Sequence, residues 1–342
     1  MNGSETKEQV KGLWRLCFPD DPDCFLELYF SSRYTDETNC AIVEDGRVVS
    51  ALQRIPYLMR FRSATIPVAY VSGACTHPHF RSRGLMSRLL CEAHRKMYSD
   101  GKYLSVLIPA DEGLAGYYSR FGYEVCFPQE ERSWTAMCGT AADSSTGLMF
   151  DETDLSDAAW PAVCHFINRR LSACQASILH PLQDMRIVLA DLALFCGQVW
   201  YAHDADGDIH AVALLVADGD RVVMKELLSV DDESRTAMLC FISRRYHASR
   251  IVMPLPCGMV RVIDAYAMLG LSACGLEGRY VEIYGDDVIP ENDGLYLLAG
   301  GGCRRVDSGE LPLGTECVRM HINDMPSRLF LGLRPYMSLM LD

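Results

Sequence analysis

The segment at residues 71–90, VSGACTHPHFRSRGLMSRLL, constrains the fold of this chain more than any other stretch of similar length. Its first residues alternate as in a strand, a short turn follows, and leucines then recur on one face of a predicted helix. The turn places Arg81, Arg83 and Gly84 directly before the helix, where backbone N–H groups can bind an anion. Ahead of the turn, the end of the strand can pair with an extended molecule that carries amides. The segment therefore predicts a site for a phosphate-rich, amide-bearing ligand.

A second segment, residues 114–125 (LAGYYSRFGYEV), supplies tyrosines beside a glycine turn. A tyrosine hydroxyl, with an ordinary pKa of about 10, is a suitable proton donor for a departing thiolate. Together the two segments predict an acyl-CoA site with a proton donor beside it. Aromatic residues in a short helix or a strand more often pack in the core, which is the role we expect for Tyr117 and Tyr123.

The composition is that of an ordinary soluble globular protein. The 342 residues predict two or three domains, and 49% hydrophobic with 23% charged residues is enough to form several cores. The net charge of −13 argues against a nucleic-acid partner, because phosphate backbones favour clustered lysine and arginine. Acidity near a pocket would favour a cationic substrate, although a role in solubility explains the charge equally well.

The cysteines predict a reducing environment and no metal centre. None of the 15 cysteines lies in a C-x-x-C pair, the spacing typical of zinc and iron–sulfur sites. The first residues lack the pattern of a signal peptide, and no apolar run is long enough to span a bilayer. We therefore expect a cytoplasmic protein with no membrane association, in which most cysteines are small core residues.

Changes in pattern along the chain predict three segments. The first, residues 1–138, has the predicted order α-α-β-β-β-α-β-α-β-β and ends at a small polar linker, residues 139–147. Residues 148–256 repeat that order without the Arg-x-x-Gly turn. Either the domain was duplicated, or two α/β segments share a similar hairpin sequence by chance. Residues 257–342 form a third, small α+β unit that opens with an amphipathic helix at residues 260–269.

The Arg81-x-x-Gly84 turn and Tyr118, in the sequence YSRFGY, resemble the GNAT superfamily of N-acetyltransferases. The three-part layout is similar to the enhanced intracellular survival (Eis) acetyltransferases over essentially the whole chain. The resemblance implies an α+β (mixed α/β) fold: a catalytic GNAT domain at 1–138, a second GNAT-like domain without the CoA loop at 148–256, and a sterol-carrier-like domain at 257–342. One departure is Met86, where many GNAT proteins have Gly or Ala; we interpret it as a mark of the subfamily.

The resemblance implies acetyl-CoA as co-substrate and no metal. The strand end would bond the pantetheine amides, the backbone amides of the turn would hold the phosphates, and Arg81 or Arg83 would pair with their charge. The predicted acetyl-CoA residues are Ala74, Cys75, Thr76, Arg81, Ser82, Arg83, Gly84, Leu85, Met86 and Ser87. His77 and His79 flank Pro78 in a connecting loop, and we expect them to be surface residues.

The resemblance also assigns the proton transfers. Tyr118 takes the role of general acid, and the base in Eis-like enzymes is the carboxylate at the end of the chain, which here is Asp342. The ending PYMSLMLD is apolar up to its last residue, which favours a buried position for Asp342, since an unburied terminus is usually polar. A final core strand would explain the same pattern. The sterol-carrier likeness does not establish lipid binding, and a packing role is the expectation.

The predicted function is acetyl transfer from acetyl-CoA to a primary amine of a small, possibly cationic acceptor. The alternative is a catalytically silent acyl-CoA-binding or regulatory protein. The sequence identifies neither the acceptor nor the oligomeric state, although a homo-oligomer is possible because Eis-like relatives form hexamers.

Overall fold

The computed structural model describes residues 3–135, 147–273, 278–312 and 314–341. Most of the predicted linker at 139–147 therefore lies outside the described residues. The chain divides into two compact units. The first contains the chain up to Phe127 together with Gly258–Pro335, and the second contains Pro128–Cys257 together with the tail from Tyr336.

The described residues form helices and strands in a mixed α+β arrangement, which confirms the predicted fold class. The helices are α1 (Gly3–Cys17), α2 (Asp23–Ser32), α3 (Leu85–Ser99), α4 (Glu112–Ser119), α5 (Trp160–Ser172), α6 (Leu182–Leu194), α7 (Asp232–Arg245), α8 (Ala265–Ser272) and α9 (Met325–Phe330). The strands are β1 (Asn39–Glu44), β2 (Arg47–Phe61), β3 (Ala64–Thr76), β4 (Leu104–Leu107), β5 (Glu124–Phe127), β6 (Glu130–Thr135), β7 (Met149–Thr153), β8 (Ala176–Leu179), β9 (Gln198–His203), β10 (Ile209–Asp218), β11 (Arg221–Ser229), β12 (Arg250–Leu255), β13 (Gly258–Val262), β14 (Arg279–Tyr284), β15 (Gly294–Ala299), β16 (Gly302–Val306), β17 (Cys317–His321) and the two-residue β18 (Pro335–Tyr336).

The main sheet of the first unit starts from the predicted hairpin. β1 and β2 pair antiparallel across a turn at Asp45 and Gly46, which both have positive φ, as an Asp-Gly hairpin requires. β2 pairs antiparallel with β3, and β3 pairs parallel with β4. α3 packs its apolar face into the core of this unit through Leu85, Leu89 and Leu90, each of which contributes about 2 kcal/mol by burial.

β13 completes this sheet and corrects one prediction. Residues 258–262 form a strand that pairs antiparallel with both β4 and β5, so the predicted helix at 260–269 is wrong in its first half. All five residues of β13 are buried, and a helix begins only at Ala265, after Asp264 caps it by accepting a hydrogen bond from the Ala267 N–H.

A smaller sheet of order β16-β15-β14-β17 also belongs to the first unit. It lies in the segment predicted as a sterol-carrier-like domain. The compact units thus divide the chain differently from the predicted boundaries at 138, 148 and 257, since β6 lies in the second unit and β13 in the first. The division into three domains stays a prediction.

The second unit repeats the strand pairing of the first. Its sheet has the order β6-β12-β11-β10-β9-β7. β9, β10 and β11 pair antiparallel in succession, α7 follows, and β12 returns parallel to β11. This is the pattern of β1, β2, β3, α3 and β4 in the first unit. The repeat predicted from the sequence is therefore present as topology. None of the described helices is long and apolar enough to cross a membrane.

Candidate active site

An open strand edge lies at the centre of the first unit. β3 pairs with β4 at Val68, Ala69 and Tyr70, and no pair between the two strands follows within the described residues. β3 nevertheless continues to Thr76. The two strands therefore diverge, and beyond Tyr70 β4 no longer pairs with β3 within the described residues. This edge carries the predicted pantetheine residues Ala74, Cys75 and Thr76, of which Cys75 is buried and the other two are half-buried.

A β-bulge shapes this edge. Ala51 of β2 lies opposite Cys75, but Gln53 lies opposite Ser72, so β3 contains one extra residue at this point. Gly73 lies in the bulge with φ +59°. The Trp14 ring covers it so closely that an added Cβ would lie 2.1 Å from a ring carbon. The alternating pattern predicts an ordinary strand residue at Gly73, although a glycine inside a strand pattern is itself a signal for a bulge.

The turn after β3 leads into a helix with an uncapped N-terminus. Ser82 and Gly84 both have positive φ, and Gly84 is the N-cap residue of α3 without a side-chain hydrogen bond to the helix. The N–H groups of Leu85, Met86 and Ser87 have no partner among the described residues. Free N–H groups and the positive end of the helix dipole bind anions such as phosphate. The turn at Ser82 and Gly84 therefore leaves N–H groups that could bind a phosphate, and the binding role of these residues stays a prediction.

The equivalent helix of the second unit differs at this position. α7 also follows the third strand of its repeat, but Asp231 caps it, and the Asp231 carboxylate accepts a 2.7 Å hydrogen bond from the Ser234 N–H. Two further acidic residues, Asp232 and Glu233, lie in its first turn. A carboxylate already occupies the N-terminus of α7, so a phosphate would be repelled there.

The two arginines of the turn make contacts within the first unit. The Arg81 Nε donates to the Thr76 carbonyl oxygen at 3.1 Å and so links the turn to the end of β3. Arg83 forms an exposed ion pair with Glu44 at 3.0 Å. Exposed pairs contribute only about 0–1 kcal/mol, so Arg83 can exchange this partner for a ligand at little cost.

Tyr118 lies on α4 and is buried, with 8% of its surface exposed. Burial, followed by the neighbouring Tyr117 and the Cys75 thiol, raises the pKa of Tyr118 to about 12. Tyr118 belongs to the same buried apolar cluster as Ala69 and Val71 of β3. Its hydroxyl has no hydrogen bond to another described residue, whereas the Tyr117 hydroxyl lies 3.2 Å from the Ser87 Oγ. Tyr118 is therefore protonated at neutral pH and available as a donor.

A buried polar network anchors the segment behind Tyr118. Tyr123 is fully buried, as expected for a core residue, and its hydroxyl lies 2.6 Å from Ser105 and 3.0 Å from the His94 ring. Burial, and next the charge of Arg261, lower the pKa of His94 well below its ordinary value, so His94 is neutral. His94 and Ser105 were not predicted, because nothing in their spacing connects them to Tyr123.

Arg261 fixes the turn between α4 and β5. Its guanidinium donates to the Phe121 carbonyl oxygen at 2.6 Å and pairs with Asp286 at 2.7 Å, with both side chains at most 4% exposed. Gly122 leaves room for it, since a Cβ there would lie 2.4 Å from the Arg261 Nη1. The glycine of the YSRFGY motif is therefore required by packing. Arg261 was not predicted, because β13 is distant from this motif in sequence.

The predicted base, Asp342, lies outside the described residues. The residues before it belong to the second unit, where the Tyr336 hydroxyl donates a 2.6 Å hydrogen bond to the buried Glu226 and Ser338 donates to the other oxygen of that carboxylate. Leu341 lines a cavity of about 300 Å³ in the same unit, together with Asp191 and Lys225. The apolar tail is thus a packed segment of the second unit, and the role of Asp342 stays a prediction.

Two further predictions concern the exposure of His77 and His79 and the binding of a metal. His79 is exposed and His77 is half-buried in a short 3-10 turn, where its ring accepts a hydrogen bond from the His79 N–H. In the described part of the chain, His, Cys, Asp and Glu side chains form no group of three that could hold a metal ion.

Comparisons with known proteins agree with this geometry. Residues 3–126, which include the open edge, the phosphate turn and Tyr118, match the model of the acetyltransferase (GNAT) domain. The match covers the N-terminal part of the chain, which is similar to a GNAT acetyltransferase domain. No curated protein matches the chain in sequence.

Solved structures show the same fold over nearly the whole chain. A probable N-acyltransferase from Enterococcus faecalis V583, described as a conserved protein of unknown function, superposes with a TM-score of 0.75 at 14% identity, over 98% of this chain and 97% of that one. A GCN5-related N-acetyltransferase from Anabaena variabilis has a TM-score of 0.73 at 16% identity, over 94% and 86%. Eis1 from Mycobacterium abscessus has a TM-score of 0.71 at 12% identity, over 97% and 88%. At these identities the likeness shows the fold alone.

Proposed function

We propose that the first unit is an acetyl-CoA-dependent N-acetyltransferase that acts on a primary amine. The observation that supports this most is that the edge of β3 without a strand partner leads through one short turn to the uncapped N-terminus of α3. An extended chain of amides that ends in phosphates fits such a surface, because the strand edge offers backbone hydrogen bonds and the helix offers N–H groups to an anion. When bound, acetyl-CoA would supply an acetyl group activated as a thioester.

The residues of the turn would hold the phosphates. The N–H groups of Leu85, Met86 and Ser87 have no hydrogen-bond partner in the described parts of the chain, and Gly84, with positive φ, precedes the helix without a side chain. An added Cβ at Gly84 would meet no protein atom, so the surface above it is open to a ligand. Arg83 would contribute charge after leaving Glu44.

Tyr118 would act as the general acid. Attack of a neutral amine forms the C–N bond and breaks the C–S bond, and the departing thiolate takes a proton from the Tyr118 hydroxyl. The raised pKa keeps Tyr118 protonated at neutral pH before the reaction, and its phenolate then regains a proton from water. The amine loses its own proton to a base, for which we propose the carboxylate of Asp342. Because an ordinary carboxylate is a weak base, this role requires either burial of the carboxylate or a water molecule that relays the proton. The acidic net charge supports a cationic acceptor.

Replacement of Tyr118 by Phe tests this function. We expect acetylation across a panel of polyamines and aminoglycosides to fall by about 100-fold to 10,000-fold, the range that general acid catalysis provides, while acetyl-CoA still binds. Tyr98→Phe is the matched control, because Tyr98 is a half-buried tyrosine at the opposite end of α3, and its turnover should stay unchanged. Binding of acetyl-CoA without turnover by the unaltered protein would instead favour the silent, regulatory alternative.

A further inference from the structure

The second unit contains a cavity of about 300 Å³, a volume at the small end of the range for ligand sites. Its walls come mainly from α6, β10, β11, β12 and the tail of the chain, which all belong to this unit. Most of the walls are apolar, with Val188, Leu192, Leu214 and Leu255 among the lining residues. Phe195, which also lines the cavity, is 47% exposed, so solvent reaches this point. The cavity can therefore take up the apolar part of a small ligand.

Two oppositely charged side chains line this cavity without pairing with each other. The Asp191 Oδ1 is buried and accepts no hydrogen bond from the described residues. Lys225 lines the same cavity, and no ion pair joins these two described residues. Burial raises the pKa of Asp191, whereas the positive charge of Lys225 opposes this shift. Because a buried oxygen without a hydrogen-bond partner is costly, a ligand that donates an N–H to Asp191 would gain binding energy there.

The tail of the chain forms a fixed wall of the cavity. The Tyr336 hydroxyl donates a 2.6 Å hydrogen bond to Glu226, and the Ser338 carbonyl oxygen lies 3.0 Å from the His180 Nε2. Leu339, the next residue, lines the cavity with φ +56°, a backbone conformation that strains a residue with a side chain. Such strain persists only where the surrounding contacts impose it, and it is concentrated at functional sites. The wall is therefore formed before any ligand binds, which favours binding.

We propose that this cavity binds an α-amino acid with an aliphatic side chain, such as leucine. The ammonium group of the ligand would donate to Asp191, its carboxylate would pair with Lys225, and its side chain would pack against the apolar walls. An amino acid carries one positive and one negative group, which complements the two charged residues of the lining. A ligand with only one charged group would leave either Asp191 or Lys225 without a partner. The inference does not rest on acetyl transfer, because it concerns binding in the second unit.

Isothermal titration calorimetry of the full-length protein with L-leucine, in the absence of acetyl-CoA, tests the proposal. We expect one molecule of leucine to bind per chain. Two analogues test the charged groups of the ligand: 3-methylbutylamine lacks the carboxylate of leucine, and 4-methylpentanoate lacks its amino group. Each should bind at least about 10-fold more weakly than leucine, because each loses a hydrogen bond between charged groups.

Two variants test the residues of the cavity. Asp191→Asn and Lys225→Met should each weaken leucine binding by at least about 10-fold, while far-UV circular dichroism shows that the variants remain folded. Asp218→Asn and Arg221→Met are the matched controls, since both residues are exposed on β10 and β11 and lie outside the lining of the cavity. Both controls should bind leucine like the unaltered protein.

Three results would overturn the proposal. The first is an absence of leucine binding at millimolar concentration. The second is equal affinity for leucine and either analogue, which would show that one charged group of the ligand is not recognised. The third is unchanged leucine affinity in a folded Asp191→Asn or Lys225→Met variant, which would place any leucine site elsewhere in the chain.

Discussion

Gly73 has a position that admits no side chain, and replacing it by alanine should cost about 3 kcal/mol of the free energy of unfolding. Positive φ accounts for about 1 kcal/mol of this, because an L residue is strained there. The new Cβ would also lie 2.1 Å from the Trp14 ring, and such overpacking typically costs about 1–3 kcal/mol. Trp14 cannot easily move aside, since its Nε1 donates a 2.6 Å hydrogen bond to Asp21 and its ring packs against Tyr29.

Gly46→Ala isolates the contribution of the Trp14 contact. Gly46 also has positive φ, +74°, but an added Cβ there meets no atom within 4 Å. Guanidinium denaturation followed by far-UV circular dichroism should give a loss of about 1 kcal/mol for Gly46→Ala and about 2 kcal/mol more for Gly73→Ala. In a Trp14→Leu background the two alanine substitutions should cost nearly the same. Equal costs in the unaltered background would show that Trp14 does not constrain the bulge.

Two further predictions concern buried charges. Asp286→Ala should lower the free energy of unfolding by about 3–5 kcal/mol, because it leaves Arg261 buried without its ion-pair partner. Thermal denaturation measures this loss. As a control, Glu282→Ala breaks the exposed ion pair with Arg319 and should cost less than about 1 kcal/mol. Burial raises the pKa of Glu226, so the folded protein holds the carboxyl proton more tightly than the unfolded chain, and stability is lost as pH rises above the unfolded pKa. Glu226→Gln should therefore change the free energy of unfolding more favourably at pH 8 than at pH 5. Denaturation curves that shift equally at both pH values would contradict this.

Local patterns were sufficient for the parts of the first unit that depend on nearby residues. The Asp45-Gly46 hairpin, the strand at β3 and the helix after Gly84 each follow from turn chemistry and periodicity within about twenty residues. The placement of Tyr118 on a short helix followed in the same way. The uncapped helix start could also be anticipated, since Gly84 offers no side-chain acceptor.

Features that depend on distant partners could not be predicted. β13 was taken for a helix because Arg261 gave the segment an apparently polar face, but that arginine is buried by Asp286 and by the turn at Phe121. The sequence separation of 140 residues between Arg261 and Phe121 leaves no local signal.

The two units show how one topology can carry different chemistry. Both place a helix after the third strand of the same pairing pattern, and both therefore present a positive helix end at the same position of the fold. In the first unit Gly84 leaves that end free, and in the second the Asp231 carboxylate fills it. The difference between a candidate phosphate site and a purely structural helix thus comes down to one N-cap residue. Topology sets the position of the helix N-terminus, but the residue at the turn decides whether a ligand or the protein itself neutralises the positive charge there.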